Sequence, residues 1–269
     1  RDRGHAGTLD PDATGLLAIA LGEATKTIPY VTNANKSYSF CIKMGAATNT
    51  DDADGEVIAT STKRPTDTEI IEKLKTFQGE TMQVPPKFSA VKIDGERAYK
   101  LARAGEEVKV SARPLLVSKL ILIERPSVDT AILEMTCGKG GYVRAIARDL
   151  GDALGCYAHV LNLRRVWAGP FNLKSCVSLK TIESFAKSLE IDQFLLPLEE
   201  GLTDLPKGTT NAEGAAKLRN GNSAVCFANA DYGDEIWASY DGKAQAIGLS
   251  AIGAFHARSG CRHLTSFLV

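Results

Sequence analysis

The sequence predicts a mixed α/β (α+β) chain, with helices and strands interleaved in its main part and a tail built mostly of short strands. Three observations carry that expectation. Lys36 to Met44 alternates, with Tyr38, Phe40 and Ile42 on one side, which is the period of a half-buried strand. Thr66 to Phe77 has helical spacing, with Ile70, Ile71 and Leu74 as its apolar stripe and Pro65 just before it. Beyond Pro206, brief apolar runs such as Glu235 to Tyr240 are punctuated by the turns Asp231-Tyr232-Gly233-Asp234 and Asp241-Gly242.

In chain order, Gly4 to Pro11 reads as a Gly-rich loop, and Gly15 to Leu21 as a buried strand ended by Gly22. Thr48 to Gly55 is a polar, acidic loop. Val84-Pro85-Pro86 makes a rigid, extended break and opens a Lys/Arg-rich segment that runs to Pro114. Within it, Val91 to Ile93 looks like a strand entering an Asp94-Gly95 turn, and Ala98 to Ala104 like a short helix. Leu115 to Ile123 and Thr130 to Cys137 are expected as two strands of one sheet. Tyr142 to Leu154 follows as a helix, His159 to Trp167 as a strand and Leu179 to Leu189 as a helix. Pro206 to Asn211 is the linker expected from composition. A short helix (Ala212 to Leu218) and a small β-rich module follow it, near the lower size limit for independent folding. There is no internal repeat and no low-complexity stretch.

With 269 residues and 44% apolar side chains, the chain can bury a sizeable core and is not disordered or collagen-like. It holds no run long and apolar enough to span a membrane; Leu16 to Leu21 is far too short. No secretion leader is visible, and the six cysteines are scattered without a Cys-x-x-Cys pair. Buried thiols in a cytoplasmic protein are therefore expected, not disulfides or a zinc ribbon. The 32 basic and 32 acidic groups cancel overall but are unevenly spread. Residues 1–80 carry 9 basic and 12 acidic groups, residues 81–175 carry 15 and 9, and residues 176–269 carry 8 and 11. A basic middle between acidic ends fits a polyanion-binding face on a neutral protein.

Three motif fragments lead nowhere. Thr50 to Gly55 resembles a calcium-binding loop but has Thr50 at the first ligand position and Ser61 where Glu is needed. Gly138-Lys139-Gly140-Gly141 lacks phosphate-loop spacing, and His256, Cys261 and His263 are too few and poorly spaced for a closed zinc site. No metal is expected.

The most informative string is Gly4-His5-Ala6-Gly7-Thr8-Leu9-Asp10-Pro11-Asp12-Ala13-Thr14-Gly15. An Asp before Pro is, alone, a turn residue. The whole string resembles the signature Gly-His-x-Gly-x-Leu-Asp-Pro-x-Ala-Thr-Gly-x-Leu of the TruB-type tRNA pseudouridine synthases; Ala6 stands where Thr is common. Further blocks follow in the family's order through residue 165. They are Lys36-Ser37-Tyr38 with Gly45; Thr48-x-Thr50-x-Asp52-x-Asp54-Gly55; Gln83-Val84-Pro85-Pro86-x-x-Ser89-Ala90-Val91-Lys92 with Gly95 and Ala98-Tyr99; Lys139-Gly140-x-Tyr142-x-Arg144; and Gly155-x-x-Ala158-His159-x-x-x-Leu163-Arg164-Arg165.

The resemblance implies a pseudouridine-synthase fold with a mixed, mainly antiparallel sheet. It gives a catalytic domain over residues 1–207 and an RNA-gripping thumb insertion over about 85–114. Separately, Gly214, Leu218-Arg219-Asn220-Gly221, Gly233-Asp234 and Trp237 to Ile247 resemble a degenerate PUA-type RNA-binding domain, a PUA-like β module over 208–269. The family's Lys-Pro-containing strand and helix before the Asp loop is not among these residues, so the catalytic domain is expected to lack its N-terminal segment. The activity implied is isomerisation of the TΨC-loop uridine, position 55 of tRNA, by a cytoplasmic, monomeric enzyme that grips the T-arm hairpin.

Breaking the bond between uracil N1 and the ribose and rejoining through C5 involves no net redox change, so no cofactor is expected. Uracil is an acceptable leaving anion and stays in the pocket, so one carboxylate can suffice where glycoside hydrolysis needs two. The resemblance makes Asp10 that carboxylate and Arg144 the guanidinium that pairs with it, orienting its oxygens and opposing the drift of a buried carboxylate toward neutrality. Tyr38 is implied to stack on the target base and to help remove the C5 proton. His5 is implied to position the flipped nucleotide and Leu163 to line the pocket, with Tyr142 and Lys139 in the substrate-binding set. Lys87, Lys92 and Arg97, with Lys100 and Arg103, are expected to meet phosphates, which gives affinity and salt dependence without sequence choice.

Overall fold

The computed structural model describes residues 2–93, 95–105, 108–251, 254–260 and 266–268. Asp94 of the expected turn, and Cys261 and His263, lie outside the described residues. The chain forms two compact units, one of residues 9–15 and 35–167, the other of residues 1–8, 16–34 and 168–269.

The first unit is built on a sheet whose strands run, side by side, Ala158–Ala168, Lys36–Met44, Thr130–Cys137, Arg113–Ser127 and Gly79–Gln83. The last three pairings are antiparallel, and Thr14–Gly15 adds to Ala158–Ala168 in parallel. Lys36–Met44 has the expected extent but is not half-buried. Lys36 and Ser37 are as enclosed as Tyr38, and only Ser39 and Lys43 are not buried, so both faces of the strand are covered over most of its length. Helix Asp67–Lys75 starts at Thr66 through a reciprocal capping box with Glu69, satisfying amides the first turn leaves open. It buries Ile70 and Leu74, whereas Ile71 is 45% exposed and does not belong to the apolar stripe. Helix Val143–Leu154 lays Val143, Ile146, Ala147, Leu150 and Leu154 on the same core as Phe40, Ile42, Leu133 and Leu74, and Gly155 ends it in the left-handed region.

The expected strand Gly15 to Leu21 is two separate pieces. Gly15 has φ +96 and turns the chain, so Thr14–Gly15 pairs in the first unit and Ile19–Leu21 in the second. In the insertion, Lys92–Ile93 and Glu96–Arg97 form a small hairpin, followed by helix Ala98–Arg103. Val91, Ala98 and Val108 make its own small apolar cluster, against which Tyr142 packs.

The second unit holds two sheets. In one, Arg3–His5, Ile19–Leu21, Ser266–Leu268 and Leu196–Pro197 lie in that order, all antiparallel. In the other, Phe227–Ala228, Lys207–Thr209, Glu235–Tyr240, Lys243–Ala251 and Ala254–Gly260 lie in order. The expected linker is therefore a strand. Lys207–Thr209 pairs in parallel with Glu235–Tyr240, and the Trp237 amide donates to the Pro206 carbonyl. The expected boundary at 207/208 falls inside this unit, where Trp237, Ala244 and Ile247 share one apolar cluster with Ala6, Leu16, Phe171 and Leu198. Asp241 and Gly242, both at positive φ, close the hairpin as its sequence suggests. The helix expected over Leu179 to Leu189 stops at Phe185, and Ser188 then caps a separate 3-10 turn, Leu189–Phe194.

Cys41, Cys137 and Cys156 are buried free thiols, and Cys176 and Cys226 are partly enclosed. Among the described residues no helix is long and apolar enough to cross a membrane, and no group of His, Cys, Asp and Glu is arranged to hold a metal ion.

Candidate active site

Asp10 opens a turn in which the Ala13 amide donates to the Asp10 carbonyl at 3.0 Å, with Pro11 in the second position, where its fixed φ suits the turn. The far end of this loop is pinned to the central sheet. Gly15 pairs with Arg165, and a Cβ at Gly15 would stand 2.2 Å from the Arg165 carbonyl oxygen, so only glycine fits.

Arg144 is the second residue of helix Val143–Leu154. The helix start is fixed by buried Gln83, whose Oε1 accepts from the Tyr142 amide at 2.9 Å and whose Nε2 donates to the Tyr142 carbonyl at 3.1 Å. Arg144 Nη2 donates to Asp10 Oδ1 at 3.0 Å and to the Phe88 carbonyl at 3.1 Å. Its Nη1 donates to the Thr50 carbonyl at 3.1 Å and to Asp52 Oδ2 at 3.3 Å. Its Nε lies 2.8 Å from Asp10 Oδ2 but off the hydrogen-bond direction, so the pair is a close ion pair with one well-formed bond. The guanidinium side chain is 8% exposed and that of Asp10 38%. The carboxylate is thus gripped from behind and open in front, as a group that must meet a substrate requires.

Tyr38 is buried in the core of the same unit. Burial pushes its phenol above the usual tyrosine range; the Cys137 and Asp10 charges push the same way, and nearby Arg165 opposes them. The phenol therefore stays protonated at neutral pH. Two enclosed cations stand in the same unit, Arg165 and, two residues before Tyr38 on its strand, Lys36. Burial, then Arg165, pushes the Lys36 ammonium down to about 8. The Cys137 thiol, across the strand from Lys36, is pushed up to about 11 by burial.

The first unit thus brings together Asp10, Arg144, Tyr38 and Tyr142, whose phenol burial also pushes up. Leu163 is partly buried against the core, and its carbonyl faces the Thr14 hydroxyl. Lys139 is exposed, as are Lys87, Lys92 and Arg97 on the insertion, where Arg97 Nη1 donates to the Ala90 carbonyl at 3.0 Å. His5 is exposed on strand Arg3–His5 and belongs to the other unit.

Sequence reasoning quoted Asp52 and Gln83 within its motif blocks but gave them no site role, and it did not single out Asp51 or Arg148. Asp52 reads as one acid of a solvated loop, yet its Oδ1 accepts from the Thr50 hydroxyl and its Oδ2 from Arg144. A signal was available: a guanidinium carries five donors, more than Asp10 alone can satisfy, so a buried Arg144 demands further acceptors nearby.

One carboxylate backed by a buried arginine, with a neutral phenol in the same unit and a basic insertion, defines a site for covalent or acid–base work on a polyanionic substrate. Comparisons with known proteins agree. Residues 1–143 match the family model described as TruB family pseudouridylate synthase (N terminal domain), and residues 144–203 match the tRNA pseudouridylate synthase B C-terminal domain. A protein of Ruegeria sp. (strain TM1040), named tRNA pseudouridine synthase B, is 63% identical over 94% of this chain and 84% of its own length. One of the same name from Agrobacterium fabrum (strain C58 / ATCC 33970) is 45% identical over 94% of this chain and 83% of its own. Among solved structures, a Cbf5-Nop10-Gar1 complex aligns with TM-score 0.69 and 25% identity, covering 93% of this chain and 70% of that one. An H/ACA RNP bound to a substrate RNA containing 2'-deoxyuridine aligns with TM-score 0.73, covering 97% and 76%; at 19% identity it speaks for the fold alone. The chain belongs to the TruB family of pseudouridylate synthases.

Proposed function

We propose that this protein isomerises a uridine of tRNA to pseudouridine, acting on the TΨC-loop uridine at position 55, with Asp10 as the group that acts on the ribose. The observation that carries this reading is the Asp10–Arg144 pair, a carboxylate held by a buried guanidinium yet open on its other side. In the reaction the ribose C1'–N1 bond breaks, uracil leaves as an anion retained in the pocket, and a C1'–C5 bond forms. The C5 proton is lost to water and N1 gains one, so the balance needs no oxidant, reductant or cofactor.

Asp10 stabilises or captures the positive charge that develops on the sugar, and Arg144 fixes its oxygens for that task. Tyr38 stacks on the extruded base, offsetting part of the few kcal/mol spent on unstacking, and assists removal of the C5 proton. His5, Tyr142, Leu163 and Lys139 hold the flipped nucleotide. Lys87, Lys92 and Arg97 meet phosphates of the T-arm hairpin, and the β-rich stretch 208–269 serves as a PUA-like RNA-binding module. The enzyme works as a cytoplasmic monomer.

The test is tritium release from a T-arm hairpin labelled at uracil C5. Rejoining through C5 must expel that hydrogen, so Asp10→Asn should abolish release while hairpin binding persists. Binding without release by the unsubstituted protein, from any tRNA, would replace the enzyme by an RNA-binding scaffold.

A further inference from the structure

Four residues beyond Arg144 on the same helix face stands Arg148, which no step above uses. Its Nη1 donates to Asp51 Oδ2 at 3.0 Å, its Nη2 to the Val84 carbonyl at 2.8 Å and its Nε to Asp149 Oδ1 at 2.8 Å. Arg148 and Asp51 are largely enclosed, with 24% and 13% of their side chains exposed. Burial pushes the Asp51 carboxyl above its ordinary range and Arg148 opposes that, so the contact matters to the charge it holds.

Arg144 and Arg148 grip the same two segments one helical turn apart. Arg144 takes the Thr50 carbonyl and the Asp52 carboxylate; Arg148 takes Asp51 between them. Arg144 takes the Phe88 carbonyl; Arg148 takes the Val84 carbonyl four residues earlier, at the stem of the basic insertion. Asp51 is also held at φ 63, where a residue with a side chain rests only when its surroundings impose it, and its carbonyl accepts from the Val160 amide at 3.1 Å. Without Arg148 the Asp51 side chain loses its bond to the helix, leaving Asp51 held by its backbone contacts, and the aim of two of the acceptors that orient Arg144 is loosened.

We propose that Arg148 is a positioning residue that ties the stem of the RNA-gripping insertion, through Val84, and the 50–52 loop, through Asp51, to the guanidinium that orients Asp10. This rests on the reading of Asp10 and Arg144 given above. Arg148 does not touch the Asp10 carboxylate; it sets the frame in which Arg144 holds Asp10.

The test combines single-turnover tritium release at saturating T-arm hairpin with the 15Nε resonance of Arg144 in arginine-labelled protein, for Arg148→Met, Asp51→Asn, the double variant and Arg148→Lys. Both single variants should slow release ten- to a hundredfold, with hairpin Kd within threefold and the Arg144 resonance displaced. The double variant should be no slower than the slower single one, because both remove the same contact. Arg148→Lys should recover at least fivefold over Arg148→Met. Should Arg148→Met fail to fold, Asp51→Asn and Arg148→Lys carry the same comparison. Wild-type release in Asp51→Asn, additive losses in the double variant, or an unmoved Arg144 resonance would each overturn the proposal. If the unsubstituted protein releases no tritium, the functional reading fails instead, and the resonance still reports whether Arg148 places Arg144.

Discussion

Replacing Lys36 by Met removes an ammonium from the first position of the central strand. Lys36 is 6% exposed, and burial, with Arg165 as the next cause, brings its pKa from 10.5 down to about 8. A shift of that size, at 1.36 kcal/mol per unit, corresponds to a folding cost of about 3 kcal/mol while the group is charged in both states. The cost is present in full below pH 8. Above that, folded Lys36 sheds its proton while the unfolded chain keeps it, so the cost declines until pH 10.5. Between pH 7.5 and 9.5 the parent protein should therefore gain about 2 kcal/mol of stability relative to Lys36→Met. The Cys137 thiol, raised to about 11 by burial although Lys36 opposes this, loses stability as pH rises through 9. Removing Lys36 raises it further, but up to pH 9.5 the folded thiol stays protonated in both proteins, so the slope there comes from the unfolded chain and cancels in the difference. Urea denaturation of both proteins at four pH values gives the comparison directly, with equal m-values as the check on two-state behaviour. Parallel stability curves across that range would mean that Lys36 is solvated as an ordinary surface lysine, and the description of it as an enclosed cation would fall with them.

Arg144→Lys keeps the charge but not the fork that reaches Asp10, Asp52 and two carbonyls, so single-turnover tritium release should drop by about a hundredfold or more while hairpin affinity holds within a few-fold. Gly15→Ala places a Cβ 2.2 Å from the Arg165 carbonyl oxygen at a φ of +96. Chemical denaturation should show a loss of about 2 kcal/mol or more, with activity falling even where the protein stays folded. Lys92→Ala, on the exposed hairpin of the insertion, should weaken hairpin binding and lower the slope of log K against log salt by about 1, leaving the rate at saturation unchanged.

The strands and helices with strong periodicity were legible in the sequence because their pattern reports burial directly: Thr130–Cys137 alternates along its whole length, and Ile70 and Leu74 mark the buried side of the helix behind Pro65. What periodicity could not report is what covers the second face of a strand. Lys36–Met44 is covered on both faces over most of its length, so Lys36 and Ser37 are enclosed, and of the solvent face that the alternation suggested only Lys43 is exposed. The stretch 206–211 misled for the opposite reason, since Pro, Gly and Thr read as a linker although Lys207–Thr209 is held as a strand by Glu235–Tyr240. At the site, Asp10 and Arg144 were readable because whole strings surround them. Asp52, although it stands in such a string, was given no role, and Arg148 was not noticed, because what they do depends on a partner brought by the fold. An acid in an acidic loop and an arginine in a helix have no local mark of being paired.

Arg144 draws its acceptors from residues 10, 50, 52 and 88, the farthest 134 positions earlier in the chain. Contacts of such long sequence separation close only after the intervening loops have paid their closure entropy. During synthesis the chain emerges from its N-terminus, so Asp10, the 50–52 loop and the Phe88 carbonyl are all exposed long before the arginine that organises them has been made. A growing polypeptide thus carries the carboxylate without its orienting partner. On the proposed reading of Asp10 and Arg144, a chain that has not yet made the helix bearing Arg144 has no aligned carboxylate to turn on the RNA around it.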